Sequence, residues 1–428
     1  MSDTDLDEHA IGILKANDRG GYTVPTARLY PFQWNWDSAF AALGFAAFDR
    51  DRAWGELDKL FQGQWADGMV PHIIFWSPST DYFPGPDVWA SGTEPPTSGI
   101  SQPPVAASIV AELVSTGDDS DLERASRLYP KLLASHRWFH THRDPENRGV
   151  IAVVHPWESG RDNCPDWDPA MDTIAVAPDL ETYQRRDTEH IGADQRPSTA
   201  QYDRYLTILT FGRNQGWDQQ EIIRAGPFLV GDPGIHFILL RADRDLLGLA
   251  KRFGSGDDER EFGGWIARAE QAADGLWNEE AGGFTARDLR SGVFSSGLAS
   301  VSPLSLYAGA GSPGQRERIA NETRRIIERV RFALPSWDPD HPAFEQRRYW
   351  RGPVWLIMNY MIARGFREAG SPDVADRIAD DALRLVRQSG FFEYYCPMTG
   401  EGLGGGDFTW TAAVWLALRG PEIAQGMS

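Results

Sequence analysis

The sequence predicts an all-α fold, an (α/α)6 barrel or toroid whose long loops form a lid over the active site. Three observations carry this. Apolar residues recur at helical spacing along the whole chain. Strand-like runs are few, at 150–154, 283–285 and 391–395. The helical segments fall into hairpins, about a dozen helices in all, and six hairpins round an axis account for that number.

The elements follow in order. A first helix spans 6–16. A second spans 37–48, with Phe40, Leu43, Gly44 and Ala47 on one face, and pairs with 51–65, where Trp54, Leu57, Leu60 and Phe61 point inward. Helices at 104–114 and 121–140 come next, and Pro104 suits a first helical turn. The stretch 168–214 holds two more, the second running through 200–209. Asp232 is a plausible N-cap with Pro233 at the first helical position, ahead of Leu239, Leu246, Leu249 and Ala250. Helices at 259–277 and 316–330 follow. A hairpin of 354–369 and 374–388 turns at Ser371-Pro372, and 408–418 closes the chain. One domain over 1–428 is expected, with loop insertions at about 66–102 and 332–352 as rims or lids.

Composition narrows the function. The 428 residues are 41% hydrophobic and 24% charged, as in an ordinary soluble protein. A formal net charge of −19 disfavours nucleic acid and anionic membrane as partners. The first residues are acidic and lack an apolar h-region, and no apolar run approaches about 18 residues, so a cytoplasmic location is expected. Cys164 and Cys396 cannot form a disulfide framework. His136, His140 and His142 lack acids or Cys at ligand spacing, so no metal or other cofactor is expected. A small-molecule partner fits best. A homo-oligomer is left open.

The unusual number is 17 Trp, clustered with acids and Gly at 34–37, 157–168 and 350–355. Trp beside carboxylate suits a sugar site. The ring covers the apolar face of a pyranose and the acids address its hydroxyls. The central stretch is Trp157-Glu158-Ser159-Gly160-Arg161-Asp162-Asn163. Asp162, in an apolar surround of Trp157, Trp167 and prolines, is a candidate proton donor, with Glu158, Asp166 and Asp168 as rivals. Glu393, in Phe391-Phe392-Glu393-Tyr394-Tyr395, is the candidate second carboxylate, with Glu401 in the following Gly-rich turn as competitor. Near the N-terminus, Tyr30, Trp34 and Trp36 precede Asp37, which either caps a helix or accepts from ring hydroxyls. Gln102 is a candidate polar contact in a Gly/Pro-rich loop that also carries Tyr82. Arg196 and Tyr202 suit a carboxylate or phosphate ligand, or a structural ion pair. Tyr349-Trp350-Arg351-Gly352-Pro353-Val354-Trp355 opens a helix with aromatics on both sides of Gly352.

These motifs, taken with Phe408-Thr409-Trp410, resemble glycoside hydrolase family sixty-three, in particular its short bacterial mannosylglycerate and glucosylglycerate hydrolases. The resemblance covers nearly the whole chain in order. It implies an (α/α)6 barrel and inverting hydrolysis, with Asp162 as general acid and Glu393 as general base. It implies that Trp36, Asp37, Tyr82, Gln102, Trp157 and Trp355 line the glycosyl subsite, and that Arg196, Tyr202 and Tyr349 address a glycerate carboxylate. Tyr30, Trp34, Gly160 and Trp350, from the same stretches, complete the expected binding set. One departure stands at 404–408. A polar side chain reaching the aglycone is expected there, and only Asp407 is available. Alternatives are a related α-glucosidase acting on a neutral glucoside or disaccharide, a barrel-type sugar epimerase or isomerase, and a non-catalytic sugar binder.

Overall fold

The computed structural model describes residues 2–426 apart from 28, 179 and 190, with side chains as far as 420. Thirteen helices matter for the site. They are α1 (Asp3–Asn17), α2 (Asn35–Phe45), α3 (Arg50–Leu60), α4 (Ala106–Thr116), α5 (Asp119–His142), α6 (Thr199–Asn214), α7 (Pro233–Phe253), α8 (Gly256–Ala272), α9 (Leu304–Ala308), α10 (Pro313–Arg329), α11 (Leu356–Glu368), α12 (Pro372–Ser389) and α13 (Thr409–Gly426).

Six of them close a ring. Helix α2 packs on α4, α4 on α7, α7 on α9, α9 on α11, α11 on α13, and α13 returns to α2. The other barrel helices lie outside this ring, giving the expected (α/α)6 barrel. Sequence separates the two layers. Every residue of α2 is buried, as an inner helix requires. Outer α12 buries only a stripe, running through Val374, Ile378, Leu385 and Val386. Helix starts are written locally. Ser2, Asp118, Ser198, Ser255 and Ser312 each close a capping box, and Asp232 caps α7 ahead of Pro233 as the sequence suggests.

The connections are sorted by length. From inner helix to outer they are short: 46–49, 117–118, 254–255, 309–312 and 369–371. From outer to inner they are long: 18–34, 61–105, 143–232, 273–303, 330–355 and 390–408. Inner helices therefore run parallel, and the long connections all emerge at their N-terminal end. The strands are short antiparallel pieces of these connections: Gln33–Trp34 with Ile73–Ile74, Ala152–Val153 with Val230–Gly231 and that in turn with Arg287–Asp288, Trp277–Asn278 with Gly283–Phe284, and Phe392–Tyr395 with Gly402–Gly406.

The two helices expected within 168–214 are the short Asp168–Met171 and α6, with a 3-10 turn, Ala193–Gln195, ahead of the second. Inner helix α9 is not among the expected elements, because at five residues it is too short to show a helical period in sequence.

The longest connection is fixed by a buried ion pair. Arg143, just past α5, donates to both Glu158 oxygens at 2.8–3.0 Å, and Glu158 also accepts from the Ser101 hydroxyl and the Val154 N–H. Arg143→Met should leave this carboxylate unpaired in the core and cost about 3–5 kcal/mol in chemical denaturation. Adding Glu158→Gln should recover part of that loss, whereas simple additivity would mean the pair is not coupled.

Candidate active site

A cavity with roughly 670 Å³ of empty space, part of it open to solvent, lies at the end of the barrel where the long connections meet. Its walls come from these connections, from the first turns of α2 and α13, and from Tyr202 on α6.

The 157–163 stretch alternates between core and cavity. His155 accepts the Trp157 N–H and starts the 3-10 turn Pro156–Ser159. Gly160 then takes φ 71°, where a Cβ would lie 2.6 Å from the Trp36 ring, so only glycine lets the turn close on that indole. Glu158 points into the core. Arg161 does too, donating to Asp166 at 2.7 Å and to Asp232 at 2.8 Å and lying over Trp167. Asp168 is taken by Arg351 at 2.8–2.9 Å. Trp157, Gly160 and Asp162 line the cavity. Of the four carboxylates considered for this stretch, Asp162 is therefore the one that faces it.

Glu393 approaches from another connection. Strand pairing shifts register between Phe392 and Tyr394, and the irregularity re-aims the residue between them. Glu393 Oε1 accepts from the Tyr30 hydroxyl at 2.9 Å and Oε2 from the Gly405 N–H at 3.1 Å. Arg196 Nη1 stands 3.8 Å away. Gly404 has φ 71°, and a Cβ there would sit 2.4 Å from Glu393 Oε2. The glycine run is thus a fit around this carboxylate. Glu401 is exposed and paired with Arg347, outside the cavity.

Burial makes these acids unequal. It lifts the Asp162 carboxyl to about 7, against the pull of Arg196 and with a further push from Glu393. Glu393 is also raised by burial, but Arg196, the Gly405 N–H and the Tyr30 and Tyr349 hydroxyls all favour its anion. Asp37 lies in the first turn of α2 and is raised well above the usual carboxylate range by burial. The helix N-cap is Trp34, so Asp37 is free to face the cavity.

The remaining expectations divide. Tyr30, Trp34, Trp36, Tyr82, Gln102, Arg196, Tyr202 and Tyr349 all line the cavity. Gln102 Oε1 accepts the Trp36 N–H, which leaves its NH₂ for other partners. Tyr349 holds a left-handed φ of 37°, strained for a bulky residue, with its hydroxyl 3.2 Å from that of Tyr30. Arg196 donates to the Tyr30 hydroxyl at 2.9 Å and to Asp187 at 3.2 Å. The Tyr202 hydroxyl donates to the Phe83 carbonyl, so its ring is what it offers the cavity.

Trp350 and Trp355 do not line the cavity. They stack face to face at 3.9 Å and 4° behind Trp36 and Trp410, and the Trp355 Nε1–H donates to the Tyr349 carbonyl. Their bulk is spent backing the wall. Asp407 also lies outside. It is exposed and 3.3 Å from His9, so it adds no charge to the cavity. Missed as site residues were Pro25, His72, Phe83, Asp187, Phe408 and Trp410. Phe408 and Trp410 stood in a motif already noted, and His72 in the Gly/Pro-rich loop. Asp187 lies in a run of mixed charge that reads as a solvated segment.

The mannosylglycerate hydrolase MGH1-like glycoside hydrolase domain matches residues 30–411. The chain is 48% identical over 408 residues to mannosylglycerate hydrolase MGH1 of Selaginella moellendorffii, covering 95% of this chain and 83% of that one. It is 34% identical over 442 residues to glucosylglycerate hydrolase of Mycolicibacterium hassiacum, covering 96% and 97%. Its structure matches that of the family 63 mannosylglycerate hydrolase of Thermus thermophilus, crystallised with Tris and D-glycerate, with a TM-score of 0.93 and 47% identity over 96% of this chain and 99% of that one. A barrel with a Trp-walled acidic cavity and these matches along almost its full length place the chain in glycoside hydrolase family 63, among the mannosylglycerate hydrolase MGH1-like enzymes.

Proposed function

We propose that the chain hydrolyses a small α-linked glycoside of glycerate, glucosylglycerate or mannosylglycerate, with inversion at the anomeric carbon. The observation that carries the mechanism is the pair of unequal carboxyls on one cavity. The Asp162 carboxyl keeps its proton near neutrality and forms no hydrogen bond to another side chain among the described residues, the Tyr205 hydroxyl donating to the Asp162 backbone carbonyl instead. Glu393 has four groups stabilising its anion: Arg196, the Gly405 N–H and the Tyr30 and Tyr349 hydroxyls. Environments that set two carboxyls apart assign acid and base.

In this mechanism Asp162 protonates the glycosidic oxygen. Glu393 accepts a proton from a water that attacks the opposite face of the anomeric carbon. The bond to the aglycone breaks as the bond to water forms. The products are a β-configured hexose and glycerate. The proton gained by Glu393 then returns to Asp162 through solvent. Trp34, Trp36 and Trp157 cover the apolar faces of the hexose, and Asp37 and Gln102 address its hydroxyls. Arg196, with Tyr349, addresses the glycerate carboxylate. Tyr202 joins them if its hydroxyl releases the Phe83 carbonyl. Because the residues involved run from Tyr30 to Trp410, the chain acts as one catalytic domain. Support for the glycerate aglycone comes from the names of the relatives and from a buried guanidinium in the cavity.

Arg196→Ala should lower kcat/KM on the glycerate glycosides by about 30–100-fold more than on neutral glucosides, which lose only its electrostatic support of Glu393. An equal loss on both would remove the glycerate reading and leave a neutral α-glucosidase. Activity should fall as pH rises through about 7, where Asp162 loses its proton, and at acid pH as Glu393 gains one. Asp162→Asn should reduce kcat by about 10²–10⁴ and abolish the alkaline limb. The same substitution should stabilise the fold at pH 8. A carboxyl raised in the folded state favours folding only below its folded pKa, so its ionisation weakens the native state as pH rises from about 4 to 7. A gain of roughly 1–4 kcal/mol at pH 8, vanishing near pH 4, is expected in thermal or chemical unfolding.

A further inference from the structure

His72 lines the cavity but takes no part in the proton transfers above. It is 5% exposed. Its backbone is held on both sides, the N–H donating to the Ile100 carbonyl at 2.7 Å and the carbonyl accepting from Asn35 N–H at 3.2 Å. The ring is boxed by three indoles. It lies near-parallel to Trp157 at 6.4 Å and 17°, and edge-on to Trp34 and Trp89 at 6.3 and 6.2 Å. Packing on these sides fixes the plane of the imidazole.

The two ring nitrogens differ. Nδ1 is sealed in the protein without a hydrogen-bond partner among the described residues. Nε2 is not sealed in this way and forms no hydrogen bond among the described residues, so it is the nitrogen that meets the cavity. Burial and the nearby His155 hold the ring neutral, with its pKa lowered to about 3. A neutral imidazole carries one N–H. An orphaned buried N–H is costlier than an unused lone pair, so the proton belongs on Nε2. The cavity then presents a fixed, uncharged donor beside the Trp157 face.

We propose that His72 is a specificity-determining residue whose Nε2–H donates to one hydroxyl of the glycosyl ring. The inference rests on the hydrolase reading above. With the free NH₂ of Gln102 and the carboxyl of Asp37, it gives the glycosyl subsite two donors and an acceptor, a set that reads hydroxyls by position. A sugar lacking the hydroxyl leaves Nε2–H unpaired in a dry site, which is where hydrogen-bonding sites discriminate best.

The test is kcat/KM for wild type, His72→Phe and His72→Gln on glucosylglycerate, mannosylglycerate and their monodeoxy-hexose analogues. Phe keeps an aromatic ring without the donor, and Gln places an amide near the Nε2 position. On the fully hydroxylated substrate His72→Phe should lose about 10–100-fold and His72→Gln should regain part of it. On one monodeoxy analogue His72→Phe should match wild type, because the contact is already gone. Equal losses on every analogue, or no loss on any, would overturn the role. A His72→Phe that fails to fold leaves His72→Gln to decide, through a smaller penalty concentrated on one hydroxyl. Should wild type hydrolyse neither glycoside, the hydrolase reading fails by itself. Calorimetric binding of free glucose and mannose then judges His72, with about 10-fold weaker binding by His72→Phe expected and unchanged affinity contradicting it.

Discussion

The site depends on the cost of burying carboxyls. Asp37, Asp162 and Glu393 share a cavity walled by indoles and phenols, where ionisation is penalised. Arg196 is the positive charge that acts on both Asp162 and Glu393, and Tyr30 and Gly405 tip the balance toward ionised Glu393. The acids that do not serve the cavity are neutralised around it. Glu158 is held by Arg143, Asp166 and Asp232 by Arg161, and Asp168 by Arg351. Each of these pairs compensates a carboxylate buried or half-buried beside the cavity. They also pin the connection that carries Asp162.

The barrel makes this arrangement feasible. Parallel inner helices send every long connection to one end, so residues hundreds of positions apart converge there, with only short strand pairs between the connections. Asp162 and Glu393 belong to the connections ahead of α7 and α13. The short connections at the other end carry none of the cavity residues. Chemistry on loops over a rigid helical frame is the consequence.

Much of this was legible in the sequence where chemistry and pattern coincide. The 157–163 stretch joins acids, Trp and Gly too closely for either an ordinary core or an ordinary surface, and Glu393 alternates with aromatics beside a glycine run. Helix caps and apolar periods gave the barrel. Other features were not legible because the deciding fact is spatial. Trp350 and Trp355 have the same neighbours in sequence as a sugar platform, yet their stacking on each other removes them from the cavity. His72 looks like one more loop residue until its two nitrogens are seen in different surroundings. Asp187 sits among Arg185, Arg186 and Glu189, and only the fold turns it toward Arg196.

In the proposed mechanism Asp162 and Glu393 act on opposite faces of one anomeric carbon. Proton NMR of the hexose released in the first minutes of hydrolysis, before mutarotation, tests it most directly. An α-linked glucosylglycerate or mannosylglycerate should release the β-anomer first, which then relaxes toward equilibrium. Initial release of the α-anomer would mean a covalent intermediate and a different division of labour between the two carboxyls.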